Sequence, residues 1–202
     1  MKIKICGLNP TRDVQLCIDL KVNYLGFVFY EKSPRNLSLQ DIKILSKYDK
    51  KNSSFVAVTV NPSNEFIKKN LLGKFDFIQL HGSETKEKVK EIKDMGFKII
   101  KAIKVRKEQD IYEYKKFNKA DFILFDTPSM EKSLEFPKKL ISKLPLGKKY
   151  ALAGSISEDN VENINKFGVN FIDLSSSLES QLGYKDHHKI KSFINKINEL
   201  KD

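Results

Sequence analysis

The chain has 202 residues, 40% of them hydrophobic, and a formal net charge of +11. That length suits one domain with a sizeable core, and no apolar run is long enough for a membrane span. The positive charge is almost all lysine on helix-period segments interleaved with glutamate, as in Lys86, Lys88, Lys90 and Lys93 against Glu84, Glu87 and Glu91; it reads as solvated helix faces and not as a nucleic-acid footprint.

The chain opens with Met1-Lys2-Ile3-Lys4-Ile5-Cys6, which alternates charge and hydrophobe. This predicts a strand over Lys2–Cys6 and is unlike a signal peptide. Cys6 ends that strand and Gly7 follows as a turn. A free thiol at a strand end is where an α/β barrel displays a base or nucleophile; the plainer alternative is a small core hydrophobe. Asn9-Pro10 puts proline at a tolerated first-turn position. Val14, Cys17, Ile18 and Val22 then form a helical stripe, which gives Cys17 a packing role. Two cysteines placed this way make no metal spacing and no natural disulfide, so a reducing cytoplasm is the expected home.

Further strands are predicted at Tyr24–Phe29, Ser54–Val60, Asp76–Leu80, Lys98–Ala102, Asp121–Phe125, Lys149–Ala153 and Asn170–Leu174. They are short, rich in Ile, Val and Phe, and too apolar for a wet face, which marks parallel strands covered on both sides. Between them the period turns helical. Ser157-Glu158-Asp159-Asn160 reads as a helix start, with Val161, Ile164 and Phe167 as its buried face and Gly168 as its end. Ile190, Phe193, Ile194, Ile197 and Leu200 give the last helix its stripe. Repetition of this unit without a linker predicts a single α/β domain over residues 1–202, a (β/α)8 TIM barrel of the phosphate-binding type. An open doubly wound sheet is the rival, weakened because no G-x-G-x-x-G follows the first strand.

A barrel gathers its C-terminal strand ends on one face. Those ends carry Cys6, then Lys32-Ser33-Pro34-Arg35, Gln79-Leu80-His81-Gly82, Asp126, Ala153-Gly154-Ser155 and Asp173-Leu174-Ser175-Ser176-Ser177. Only Arg12, Arg35 and Arg106 are arginines, and Arg35 sits where a bidentate anion clamp is useful. Gly154, Ser155, Ser175 and Ser176 let backbone N–H groups approach an anion, so a phosphate site is expected there. His81 has no acid near it in sequence and is expected to contact a ligand. His187 and His188 are expected to be exposed. No histidine spacing suits a metal, so no catalytic metal is expected.

In this order, Lys4-Ile5-Cys6-Gly7, Gly26-Phe27-Val28-Phe29-Tyr30 with Lys32-Ser33-Pro34-Arg35, Gln79-Leu80-His81-Gly82, Asp126, Leu152-Ala153-Gly154, Asp173-Leu174-Ser175-Ser176 and Gly183-Tyr184-Lys185-Asp186 span nearly the whole chain. The chain resembles the phosphoribosylanthranilate isomerase family of tryptophan biosynthesis. The resemblance implies a cofactor-free Amadori rearrangement of N-(5-phosphoribosyl)anthranilate to 1-(2-carboxyphenylamino)-1-deoxyribulose 5-phosphate. It implies that Asp126 is the general acid on the ring oxygen and Cys6 the general base on the C2 proton. Arg35 and His81 resemble its substrate-contacting residues, Arg35 toward the anthranilate carboxylate, and Gly154, Ser155, Ser175 and Ser176 its phosphate loops.

Cys6 has to be a thiolate often enough to accept a proton, which a positively polarised phosphate face is expected to favour. The chain departs from the family pattern at Ser155 and Ser177, where glycines are usual. It also departs in the glycine-free stretch 127–136, which replaces a glycine-rich loop expected to cover the substrate. Two other readings stay open: a sibling phosphosugar barrel acting on another ribulose phosphate, and a retired paralogue that only binds a phosphorylated ligand. The expected partner is a small phosphorylated molecule, with no nucleic acid or membrane, in a monomer or homodimer.

Overall fold

The structure, a computed structural model, describes residues 1–126, 143, 149–154 and 156–200. Eight parallel strands close into a barrel in the order β1 to β8. They are β1 (Lys2–Cys6), β2 (Tyr24–Phe29), β3 (Ser54–Thr59), β4 (Phe77–Leu80), β5 (Lys98–Lys104), β6 (Phe122–Asp126), β7 (Tyr150–Ala153) and β8 (Phe171–Leu174). Closure is completed by β1 pairing with β8, Lys4 lying opposite Asp173. The rival open sheet is thereby excluded. Each predicted strand is present, with ends shifted by a residue or two; β5 runs on to Lys104, and β6 includes Asp126.

Two separate cores explain why the strands are apolar on both faces. Side chains alternate along a strand, so Leu25, Phe27 and Phe29 of β2 pack outward against helices while Tyr24 and Val28 point into the barrel. Val56 and Val58 point inward likewise, between the outward Phe55 and Ala57. At the base, Tyr24, Phe77, Phe122 and Phe171 come from alternate strands. Their rings pack with centroids 4.9 Å (Tyr24–Phe171), 5.4 Å (Tyr24–Phe77) and 5.5 Å (Phe122–Phe171) apart. This four-ring layer fills the barrel from below, as interior layers of a barrel do, and leaves the upper end for polar groups.

The helices follow from the stripes. Val14–Asp19 buries Val14, Cys17 and Ile18. Val161–Asn165 buries Val161 and Ile164, and Gly168 ends that segment with φ +65°. His187–Glu199 is capped by Asp186, whose side chain accepts from the N–H groups of His188 and Lys189, and buries Ile190, Phe193, Ile194 and Ile197. One expectation needs correcting. His188 is exposed, but His187 is half-buried, its Nε2 3.1 Å from Asp13 Oδ1. The fold also contains an unpredicted antiparallel hairpin, β9 (Glu179–Gln181) with β10 (Tyr184–Lys185). Among the described residues no helix is long and apolar enough to cross a membrane.

Candidate active site

The C-terminal strand ends open into a cavity of about 550 Å³. Its lining includes Cys6, Arg35, His81, Asp126, Gly154, Ser175 and Ser176, which arrive from six different strands or the loops after them. Ser155 and the stretch 127–136 lie outside the described residues. A larger hollow of about 830 Å³ lies beside it and shares Tyr30, Val60 and His81, but contains neither Cys6 nor Asp126. The smaller cavity, which holds both Cys6 and Asp126, is therefore the candidate site.

Cys6 sits on the inward face of β1 with Lys4 two residues below it. In the register of β1 and β2 it pairs with Gly26. A β-carbon on Gly26 would lie 3.0 Å from Cys6 Cα, 3.1 Å from Lys4 Nζ and 3.2 Å from Cys6 Sγ. Glycine is the residue that leaves room for both side chains. Lys4 is fully buried and donates to Asp173 Oδ2 at 2.8 Å. The two ends of this pair are not symmetric. Burial opposes the charge on Lys4, but Asp173 and Cys6 more than offset it, so the ammonium stays protonated. For Asp173, burial pushes the carboxyl up, Lys4 pulls it back, and the nearby carboxylate of Asp126 adds to the rise.

The thiol itself differs from expectation. Burial pushes the Cys6 thiol up; Lys4 and Lys185 pull it down, and Asp173 pushes it up again. The net direction is upward, because burial of the sulfur, joined by the Asp173 carboxylate, outweighs the pull of the two lysines. The positively polarised face expected to favour the thiolate does not outweigh desolvation.

Arg35 follows β2 and reaches back over Gly7, whose φ is +78°; a β-carbon there would come within 2.4 Å of Arg35 Cδ. Its guanidinium is already engaged. Nε and Nη2 donate to Glu179 Oε1 and Oε2 at 2.6 and 2.7 Å, a bidentate pair. Lys185 Nζ donates to the same carboxylate at 2.7 Å, and the Gly183 N–H at 3.3 Å. Burial works against the Glu179 charge, yet the hydrogen bonds from Arg35 and Lys185 hold its carboxyl down to about 2. The free clamp expected at Arg35 is thus a clamp with one edge closed by Glu179.

His81 and Asp126 meet across the mouth, Nε2 to Oδ2 at 3.0 Å, each about one-quarter exposed. The acid missing near His81 in sequence is supplied from β6. Deeper in, Asp173 Oδ1 and Gln79 Oε1 are buried acceptors with no hydrogen-bond partner among the described residues, and both residues line the cavity. Orphan acceptors in a cavity wall suit a ligand rich in hydroxyl donors.

The opposite wall holds small residues. Gly154 has φ +93°, a conformation that favours glycine. After β8 the chain turns through Ser175 into a short 3₁₀ helix, Ser176–Leu178, with Ser176 and Ser177 exposed toward the cavity. Ser177, where the family pattern has glycine, does not adopt a positive φ, so serine is unstrained there. The Ser175 hydroxyl donates to the Cys6 carbonyl at 3.1 Å, and Lys185 Nζ donates to the Ser175 carbonyl at 3.1 Å. These bonds tie the end of β1 to the end of β8. Among the described residues no cluster of three or more His, Cys, Asp or Glu is arranged to hold a metal.

Lys4, Glu179 and Lys185 are the site residues that sequence reasoning missed. Lys4 had a usable signal, since it lies two positions before Cys6 and a strand puts i and i+2 on one face. Glu179 had none, being 144 positions from Arg35.

A closed eight-stranded parallel barrel with a thiol, a carboxyl–imidazole pair and a small-residue wall in its mouth defines a (β/α)8-barrel enzyme scaffold with its site at the usual end. Residues 3–196 match the family model described as N-(5'phosphoribosyl)anthranilate (PRA) isomerase, and the chain belongs to that family. It is 37% identical over 208 residues to the N-(5'-phosphoribosyl)anthranilate isomerase of Petrotoga mobilis, covering 100% of this chain and 99% of that one. To that of Clostridium kluyveri it is 35% identical over 204 residues, covering both chains fully. The solved phosphoribosyl anthranilate isomerase of Thermotoga maritima superposes with a TM-score of 0.86 at 29% identity, over 98% of this chain and 99% of that one. A phosphoribosyl anthranilate isomerase in complex with reduced 1-(o-carboxyphenylamino)-1-deoxyribulose 5-phosphate gives 0.83 at 29% identity, over 98% and 99% of the two chains.

Proposed function

We propose that this chain catalyses the Amadori rearrangement of N-(5-phosphoribosyl)anthranilate to 1-(2-carboxyphenylamino)-1-deoxyribulose 5-phosphate, with Asp126 as general acid and Cys6 as general base. The observation that carries the reading is that Cys6 and Asp126, 120 positions apart by their numbers, line one cavity whose far wall is built from Gly154, Ser175 and Ser176. Family membership supplies the substrate.

The chemistry the residues have to perform is balanced. The Asp126 carboxyl gives its proton to the ribose ring oxygen while the C1–O bond breaks and the nitrogen lone pair forms C1=N. The Cys6 thiolate then takes the C2 proton, and the C–H electron pair becomes C1=C2 as the C=N pair returns to nitrogen. Ketonisation puts one proton on C1 and releases one from the C2 hydroxyl. That exchange returns thiol and carboxylate to thiolate and acid. Each proton transfer by a placed side chain is worth about 10²–10⁴ in rate.

The other groups fit binding roles. The phosphate belongs on the Gly154, Ser175 and Ser176 wall, with Ser155 as the further phosphate contact that the family resemblance implies. The sugar hydroxyls match the orphan acceptors Asp173 Oδ1 and Gln79 Oε1. The anthranilate carboxylate has the Nη1 edge of Arg35 to meet, because Glu179 occupies the other edge. His81 holds Asp126 by its 3.0 Å contact and fixes where the acid points.

The test is complementation of a tryptophan auxotroph lacking this step, paired with an assay of the purified protein on the phosphoribosyl substrate. Growth and turnover are expected. Tight binding of the phosphorylated product analogue without turnover would make the chain a retired paralogue, and turnover of a different ribulose phosphate a sibling enzyme.

A further inference from the structure

Lys4 has no part in the chemistry above, yet it is the largest charged side chain that the barrel buries completely. Sealing an ammonium away from water costs several kcal/mol unless it is well matched. The same interior accepts Tyr24, Val56, Ile100 and Phe171, so an apolar residue would fill the place without that cost. Only one of the ammonium's contacts is explained by Asp173 Oδ2 at 2.8 Å.

The ammonium also borders the same gap as the sulfur. Lys4 Nζ and Cys6 Sγ lie 3.1 and 3.2 Å from one shared point, the β-carbon position that Gly26 leaves open. We infer that Lys4 is a positioning residue for the Cys6 base: held from beneath by Asp173, its ammonium stabilises the thiolate that takes the C2 proton. This rests on reading Cys6 as the base.

The groups facing Cys6 from each packed element bear this out as a matter of sign. Lys4 of β1 and Lys185 of β10 favour the thiolate, Lys4 more strongly, and Asp173 of β8 opposes it. Arg35, after β2, also feels the sulfur's charge. Asp126 of β6 and His81 near β4 act on Asp173. Lys185 and Arg35 are both drawn to Glu179, whereas Lys4, bound to Asp173 Oδ2, borders the same Gly26 gap as the sulfur. The pair Lys4–Asp173 therefore forms a tuning element in which the two members push the thiol in opposite directions.

The experiment reads the thiol directly, without isomerase turnover. In a Cys17→Ala background, the rate of Cys6 alkylation by iodoacetamide is followed against pH, since only the thiolate reacts. Lys4→Met is expected to move the midpoint upward by about one unit, so that alkylation below the midpoint slows about tenfold. Asp173→Asn is expected to move it downward. Midpoints that stay put, or that shift in the same direction in both variants, overturn the inference. If Lys4→Met does not fold, Lys4→Gln decides in its place: a raised midpoint upholds the inference, and an unchanged or lower one overturns it. Should Cys6 prove not to be the base, Cys6→Ser would keep full turnover, a result separate from any midpoint.

Discussion

Gly26 pairs with Cys6 across β1 and β2, and the β-carbon it lacks is what allows the thiol and the Lys4 ammonium to share one point inside the barrel. Three atoms crowd that point at 3.0 to 3.2 Å, and one of them, Cys6 Cα, is backbone. A sulfur on a flexible tip could move aside; a paired strand cannot.

Gly26→Ala is therefore expected to displace Cys6 and Lys4 together. Overpacking of this kind costs about 1–3 kcal/mol, and Cys6, the proposed base, is moved from the proton it is proposed to take. The measurement is a melting temperature together with kcat and KM. A fall in Tm of several degrees with a kcat loss larger than any rise in KM is the expected pattern. A variant with native kcat would show that the cavity has slack at this point.

Asp126→Asn keeps a side chain able to meet His81 but cannot give up a proton as a carboxylic acid does. Turnover is expected to drop by about 10²–10⁴ while binding of the product analogue, followed by calorimetry, changes little. Cys6→Ser is expected to lose turnover on the same scale, because a hydroxyl is a far weaker base than a thiol near neutral pH. Native turnover in either variant would remove that residue from its role.

The barrel was legible because its strands are buried on both faces, so β2 reads as Tyr24-Leu25-Gly26-Phe27-Val28-Phe29 with no polar interruption. The strand ends were legible for the same reason, as the places where such runs stop at Cys6, His81 and Asp126. The hairpin of β9 and β10 was not. Glu179, Ser180 and Gln181 carry no apolar alternation, and polar bonds tie this part of the chain down: Arg35 and Lys185 on the Glu179 side chain and Lys189 on its carbonyl. Long-range ion pairs leave no local pattern in a sequence. Lys4 went unremarked for a different reason: alternating charge on an N-terminal strand carries no mark of burial, and only closure of β1 against β8 turns that face inward.

The two cysteines should separate cleanly in a labelling experiment. Burial, then the carboxylate of Asp13, pushes the Cys17 thiol up to about 12, and its side chain is sealed in the helix–strand core. Cys6 lines the open cavity. Native protein treated with iodoacetamide at mildly alkaline pH is expected to take one label, on the Cys6 peptide, and denatured protein two. The native rate should keep rising beyond the ordinary thiol range near about 8.5, since the Cys6 thiol is shifted upward. Label on Cys17 in the native protein would contradict the packing.

Glu179 offers a test of the hairpin's anchor. Its carboxyl is held down to about 2 in the folded chain, against about 4.3 when unfolded. A depressed acid contributes stability that is fully present above the unfolded value and is lost as pH falls through the folded one. The native protein should therefore weaken at this site between about pH 4.3 and pH 2. Glu179→Gln leaves Arg35 and Lys185 facing each other without their shared carboxylate, and breaking a buried pair in this way costs about 3–5 kcal/mol. The variant should melt lower than the native chain at neutral pH, and the gap between them should close as both are taken toward pH 2. A gap that stayed constant over that range would mean that the Glu179 carboxylate is not what holds Arg35, Gly183 and Lys185 in place.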